Sequence, residues 1–253
     1  MGEVVRDGVH IYWESRGQGP AILLSHGYSA TSEMWAGQVD VLAETHQIIT
    51  WDMRGHGRSD SPDDPGAYSQ QLTVGDMGAI LDTLQVDRAV IGGLSLGGFM
   101  SLAFRLNHPD RTAALMLFDT GPGYRRADAR AVWNDRADRT AVAYEQGGLG
   151  ALGGGAEVRT STHRSAKGLA HAARGMLAQT DDGVLASLHS IDVPTLVLVG
   201  ADDDQFLAPA DYMAAKIPGA HRVTLPGAGH AANLDQPAAF NQAMLAFLAS
   251  VPW

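Results

Sequence analysis

The chain has no cysteine among its 253 residues, which excludes disulfides, thiolate metal sites and a cysteine nucleophile. That absence leaves the redox compartment open, because a chain without thiols is stable in either setting. Basic residues are in deficit. The 18 Lys and Arg against 28 Asp and Glu give a net charge of −10, and no basic stripe exists along which a nucleic acid could lie. No run of about 18 apolar residues is present, so no membrane span is expected. The opening Met1-Gly-Glu-Val-Val-Arg-Asp7 lacks a basic start followed by an apolar stretch. No secretory leader is therefore expected, and a cytoplasmic location is the default reading.

What is present is an ordinary globular composition, 45% apolar and 18% charged, in a length that suits one α/β domain with a small insertion. Val9 to Ser15 alternates apolar and polar residues, as a half-exposed antiparallel strand near a sheet edge would. Short apolar runs at Ala21–Ser25, His46–Trp51, Arg88–Gly92, Ala113–Phe118 and Pro194–Gly200 predict buried parallel strands, with a shorter last strand at Arg222–Leu225. Helical spacing lies between them at Glu33–Thr45, Gln71–Leu84 and Phe99–Leu106, and again at Ala238–Ser250. Thr73 and Asp76 are spaced as a capping box for the second of these helices. Strands alternating with helices predict a mostly parallel, doubly wound sheet.

The strand signal vanishes between Gly121 and Ile191, where short Ala- and Arg-rich helices are interrupted by the glycine tract Gly147–Gly155. Residues 1–120 and 191–253 are therefore expected to form the core domain, with 121–190 inserted as a helical cap or lid. The glycine tract reads as a flexible linker within that cap. The interleaved Arg125, Arg126, Arg130, Arg136 and Arg139 read as a solvated helix face.

The residues that carry chemistry begin with Gly93-Leu-Ser-Leu-Gly97. A strand precedes this G-x-S-x-G and a helix follows it, the setting in which the pattern forms a nucleophile elbow that lifts a serine at the sheet's edge. Ser95 is thus the expected nucleophile. A serine hydroxyl needs a neighbouring base, itself oriented by a third group. His230, in the glycine-rich loop Pro226–Asn233 after the last strand, is the expected base. Three aspartates, Asp202, Asp203 and Asp204, follow the strand ending at Gly200 and compete for the acid, with Asp119 as a rival. Donors for a developing oxyanion are expected from the Leu96 amide and, in the loop Ser25-His-Gly-Tyr28, from the Tyr28 amide. His26 reads as a brace for that loop, and His56 as the organiser of a turn. Met34, Trp35, Phe99, Trp133 and Phe206, on the motif loops and in the cap, are expected to line an apolar substrate pocket.

The ordered set His26-Gly27, Asp52-Met-Arg-Gly-His-Gly-Arg-Ser59, Gly93-Leu-Ser-Leu-Gly-Gly98, Gly200-Ala-Asp-Asp203 and Gly227-Ala-Gly-His230 resembles the α/β-hydrolase superfamily. Within it the chain resembles small-cap esterases and enol-lactonase-like enzymes. In that family the acid usually stands three residues past the strand-ending glycine, which selects Asp203. A proline often follows the acid by four residues; here Pro209 is six past Asp203, so the stretch Asp204–Ala208 reads as an unusual loop. The resemblance implies a Ser-His-Asp hydrolase of small carboxylic esters that needs no metal or organic cofactor and takes a small-molecule ester or lactone. Lactonase, carbon–carbon hydrolase and perhydrolase chemistry would use the same residues, and a non-catalytic ligand receptor is the rival from another class. Epoxide hydrolase or haloalkane dehalogenase chemistry is disfavoured, because those relatives carry aspartate where Ser95 stands.

Overall fold

Five-residue apolar strands can hide both faces only if helices cover the sheet on each side. The computed structural model, which describes residues 1–253, has that arrangement. Its strands are β1 (Gly2–Arg6), β2 (Val9–Arg16), β3 (Ala21–Ser25), β4 (Gln47–Trp51), β5 (Ala89–Leu94), β6 (Thr112–Phe118), β7 (Thr195–Gly200) and β8 (His221–Leu225). Its helices are α1 (Ala36–Leu42), α2 (Gln70–Thr83), α3 (Leu96–Asn107), α4 (Ala127–Gly147), α5 (Ala156–Arg159), α6 (Ala166–Ala172), α7 (Gly183–Ser187), α8 (Asp204–Lys216), α9 (Ala232–Asp235) and α10 (Pro237–Leu248). The strands form one sheet in the order β1-β2-β4-β3-β5-β6-β7-β8. The pairs β1–β2 and β2–β4 are antiparallel, and every pair from β4 onward is parallel.

Alternation along each strand divides the core in two. Leu23, Ile49, Ile91, Leu117 and Val197 face the layer that holds α2, α3, α7 and α8. Their neighbours Leu24, Ile48, Val90, Phe118 and Leu196 face α1 and α10. These side chains are almost wholly buried, and each contributes roughly 1.5–3 kcal/mol relative to exposure. Shifting any strand by one residue would exchange the two layers, so register is strongly held.

Three local readings of the sequence need correction. The Thr73–Asp76 capping box does not form. Ser69 already caps α2 by accepting from the Leu72 N–H (3.1 Å), Thr73 donates back to the Ser69 carbonyl, and Asp76 is bonded to Arg54. Asp204–Ala208 is not a loop but the start of α8, with Pro209 inside the helix. An edge strand, β1, precedes the first one that the alternation revealed, and pairs with it from Gly2↔Trp13 to Arg6↔Val9.

Between β6 and β7 the chain contains no strand. The longest helix there, α4, is capped at its carboxyl end by Gly148, whose φ of +59° suits a glycine. The helical segment is fastened to the loop after β3 by several hydrogen bonds. The Tyr28 hydroxyl donates to the Leu169 carbonyl (2.7 Å), Ser29 Oγ meets the Tyr144 hydroxyl (2.8 Å), and His163 Nε2 reaches the Ser29 carbonyl (3.0 Å).

Candidate active site

In the strand order, β3 is flanked by β4 on one side and β5 on the other, so the chain reverses its direction of travel across the sheet there. Loops leaving the carboxyl ends of β3 and β5 diverge at such a point and leave a crevice. The loop after β3 carries Tyr28, and Ser95 follows β5. Asp119, Asp203 and His230 follow β6, β7 and β8.

Ser95 sits between β5 and α3 with φ +55° and ψ −116°, a conformation that costs a non-glycine residue roughly 1–3 kcal/mol. The surroundings hold it there. Its N–H donates to the Phe118 carbonyl (2.9 Å), and its carbonyl accepts from Phe99 N–H (3.1 Å) and Thr120 Oγ1 (2.6 Å). The flanking glycines are required by packing. A Cβ on Gly93 would lie 2.4 Å from the Gly97 carbonyl carbon, and one on Gly97 would lie 2.2 Å from the Ser25 oxygen.

The loops after β7 and β8 are stitched together. Ala201 N–H bonds the Leu225 carbonyl and Asp202 N–H the Ala228 carbonyl, both at 2.9 Å. A Cβ on Gly200 would fall 2.2 Å from the Gly229 oxygen, so only glycine permits this approach. The result brings Asp203 to His230, whose Nδ1 stands 2.8 Å from Asp203 Oδ2. Asp203 is 6% exposed, whereas Asp202 and Asp204 are exposed to solvent. The Asp203 carbonyl accepts from Phe206 N–H (3.0 Å) and Leu207 N–H (3.1 Å) as the cap of α8, which leaves its carboxylate free for the imidazole. Phe206 stacks on the His230 ring at 5.1 Å and 21°. Burial lowers the His230 pKa, but the opposing influences, led by the Asp203 hydrogen bond and charge, together hold the imidazole above its usual value.

Ser95 and His230 line one cavity, together with Tyr28 and Asp203, without a direct hydrogen bond between them. A methyl group on Gly27 would stand 3.5 Å from Ser95 Cβ, so the loop after β3 lies close beside the serine. The Tyr28 N–H has no acceptor within the chain. Leu96 is the first residue of α3, where an N–H has no intrahelical acceptor and faces the positive end of the helix. An imidazole tied to a carboxylate at one nitrogen can take a proton at the other, and two free amides can receive negative charge.

Phe99, Trp133 and Phe206 line the cavities around Ser95. Met34 and Trp35 do not. They lie in the α1/α10 layer, where Trp35 packs on Phe118 (5.9 Å) and Phe240 (6.4 Å), because the turn that carries them points under the sheet. His26 braces the loop as expected: Nδ1 bonds the Gly27 carbonyl (2.7 Å) and Nε2 accepts from Met53 N–H (2.9 Å). The segment Asp52–Ser59 is a buried frame, in which Asp52 accepts from Ser32 and Arg58 while Arg54 grips Asp76 through two bonds of 2.8 and 2.7 Å. No set of three or more His, Asp or Glu side chains is placed to hold a metal ion.

Two contributors escaped the sequence. Thr120 fixes the Ser95 carbonyl, and Leu177, at the end of the π-helical turn Ala173–Leu177, lines both cavities at the serine. Neither carries a local signal, since one is an ordinary loop threonine and the other a leucine in a region without periodicity.

Residues 20–167 match the family described as alpha/beta hydrolase fold. The chain is 30% identical to a hydrolase from Pseudomonas aeruginosa PA01 over 98% of both chains, with a TM-score of 0.84. A thermophilic esterase from Thermogutta terrifontis is 28% identical, over 98% of this chain and 96% of its own, with a TM-score of 0.82. The 3-oxoadipate enol-lactonase 1 of Acinetobacter baylyi is 28% identical, over 92% of this chain and 90% of its own. With a family match across more than half its length, this chain belongs to the α/β-hydrolase family.

Proposed function

We propose that the protein is a serine hydrolase of small carboxylic esters that works through an acyl-enzyme. The observation that carries this reading is a strained serine on the same cavity as an imidazole whose far nitrogen is bonded to a buried carboxylate. Ser95 Oγ attacks the ester carbonyl while His230 Nε2 takes its proton. The Asp203 carboxylate keeps Nδ1 protonated and stabilises the imidazolium. The Leu96 and Tyr28 amides receive the oxyanion, each worth roughly 3–4 kcal/mol in the transition state. His230 then gives its proton to the departing alcohol oxygen as the carbon–oxygen bond breaks. Water, deprotonated by the same imidazole, attacks the acyl-serine and releases the acid with Ser95 restored.

Replacing Ser95 by Ala is expected to reduce p-nitrophenyl acetate turnover about a millionfold, to background. Turnover retained in that variant would remove Ser95 from the mechanism. Cyclic esters would use the same groups, and similarity to both an esterase and an enol-lactonase supports testing lactones beside open-chain esters. A receptor that merely acylates would give one burst of p-nitrophenol and then stop, which distinguishes it from an enzyme.

A further inference from the structure

Ser95 lines not one cavity but two. The first, about 500 Å³, is walled mainly by apolar side chains, among them Phe99, Leu185, Pro209 and Tyr212, with the exposed Arg125 and Arg126 at its solvent end. The second, about 380 Å³, contains Tyr28, Asp203 and His230, with Arg136 and Thr140 contributing polar wall. Four residues are common to both besides the serine: Trp133, Leu177, Gln205 and Phe206. They are held as a divider. Trp133 Nε1 donates to the Leu177 carbonyl (2.8 Å), Arg136 Nη1 donates to Gln205 Oε1 (2.9 Å), and Phe206 stacks on His230.

From this division we infer that the first cavity holds the acyl group and the second the leaving alcohol, so that the small esters it takes join an apolar acid, of a size that fills the first cavity, to a polar alcohol. The inference rests on the acyl-transfer reading of Ser95 and His230. Proton delivery decides the sides. The alcohol oxygen must come within about 2.6–3.2 Å of the imidazole nitrogen that protonates it, so the alcohol leaves through the cavity that His230 lines. Water for deacylation needs the same nitrogen and fills the space the alcohol vacates. The acyl group stays bound to Ser95 Oγ through both half-reactions and needs no contact with the imidazole, so it takes the cavity from which His230 is absent. A volume of about 500 Å³ with an apolar lining lies in the range that encloses most of a drug-sized ligand.

The test is a series of p-nitrophenyl esters from acetate to octanoate with the alcohol held constant. In the wild-type enzyme kcat/KM is expected to rise roughly fourfold for each added methylene until the cavity is filled. The deacylation rate constant is expected to change along this series and to stay the same when the alcohol is varied. Ala129→Trp, which narrows only the first cavity from α4, is expected to lower the octanoate-to-acetate ratio at least tenfold. Thr140→Trp, which narrows only the second, is expected instead to lower the ratio of naphthyl acetate to methyl acetate. A flat or falling acyl-length series, or an exchange of the two variants' effects, would overturn the assignment while leaving acyl transfer intact. Absence of any ester turnover would overturn both.

Discussion

At the scale of single residues, Asp203 and His230 illustrate how environment selects a role. Three aspartates stand in a row, and only the middle one combines burial with a bond to the imidazole. Replacing Asp203 by Asn is expected to cost about 10⁴ in kcat, because the amide lets His230 settle in the wrong tautomer. The pH profile offers a second readout. In the proposed mechanism His230 acts as a base only when neutral; burial lowers its pKa, and the opposing influences, led by the Asp203 bond and charge, together hold it above the usual value of 6.5. In the wild type, kcat/KM should therefore fall as pH drops through a value above 6.5. In the Asn variant that acid limb should move to lower pH. An unmoved limb would mean that Asp203 does not govern the imidazole.

At the scale of elements, the elbow explains the glycines better than any turn statistic. Strand β5, helix α3 and the loop after β3 converge so closely that Gly97 has no room for a Cβ, and the atom in the way is backbone. Gly97→Ala is expected to destabilise the protein by about 3 kcal/mol or more, since a carbonyl cannot step aside as a side-chain tip can. Gly150→Ala, with nothing within 4 Å of the new methyl, is the control and should stay within about 0.5 kcal/mol. Denaturant unfolding of the pair measures both, and equal stabilities would count against a packing role for Gly97. The same convergence shows which elements a reader of the sequence could find. Buried parallel strands announce themselves as apolar runs between turn residues. The turn after β5 and the loop after β8 that carries His230, with their order along the chain, were legible for that reason. Strand β1 was hidden because Gly2-Glu-Val-Val-Arg6 buries none of its residues and turns Val5 outward, so no apolar–polar alternation marks it as Val9–Ser15 is marked. Helix α8 was hidden by Pro209 and the aspartates before it. Met34 and Trp35 misled because nearness to a motif in sequence does not say which side of the sheet a turn points to. The partition of the space around Ser95 depends on Leu177 and Gln205, which meet only after folding.

At the scale of the whole molecule, buried titratable groups set two opposing pH dependences. His26, His56 and His163 cluster where the helical segment docks, with ring centroids 5.0 and 5.8 Å apart along the chain of contacts. Burial lowers the pKa of all three, that of His26 to about 4, so each stays neutral in the folded state. The unfolded chain binds protons near pH 6.5 and the folded one does not, so stability falls as pH drops from about 6.5 to about 4. The part from His26 alone is about 3 kcal/mol. Asp119 acts in the other direction. Its Oδ1 accepts from Gly200 N–H (2.7 Å), its Oδ2 has no partner, and burial pushes its pKa up to about 8. Between about 4 and 8 the unfolded carboxyl loses a proton that the folded one keeps, so this group subtracts stability as pH rises. Asp119→Asn is expected to gain stability over the wild type progressively across that range, while its own unfolding free energy falls from pH 7 to pH 5 through the histidines. Denaturant melts at pH 5, 7 and 8 test both signs, and a constant offset between the two proteins would show that the carboxyl is not held protonated.

Every loop implicated in chemistry leaves the sheet at the carboxyl ends of its strands, and the amino ends are occupied by short connections such as the exposed Pro218-Gly219 before β8. The molecule therefore has a working rim and an idle one. A bead, a dye or a fused domain anchored at the idle rim would leave the mouth pointing outward, so a single cysteine introduced at Pro218, in a chain that otherwise has none, is expected to orient the immobilised protein with its proposed site open.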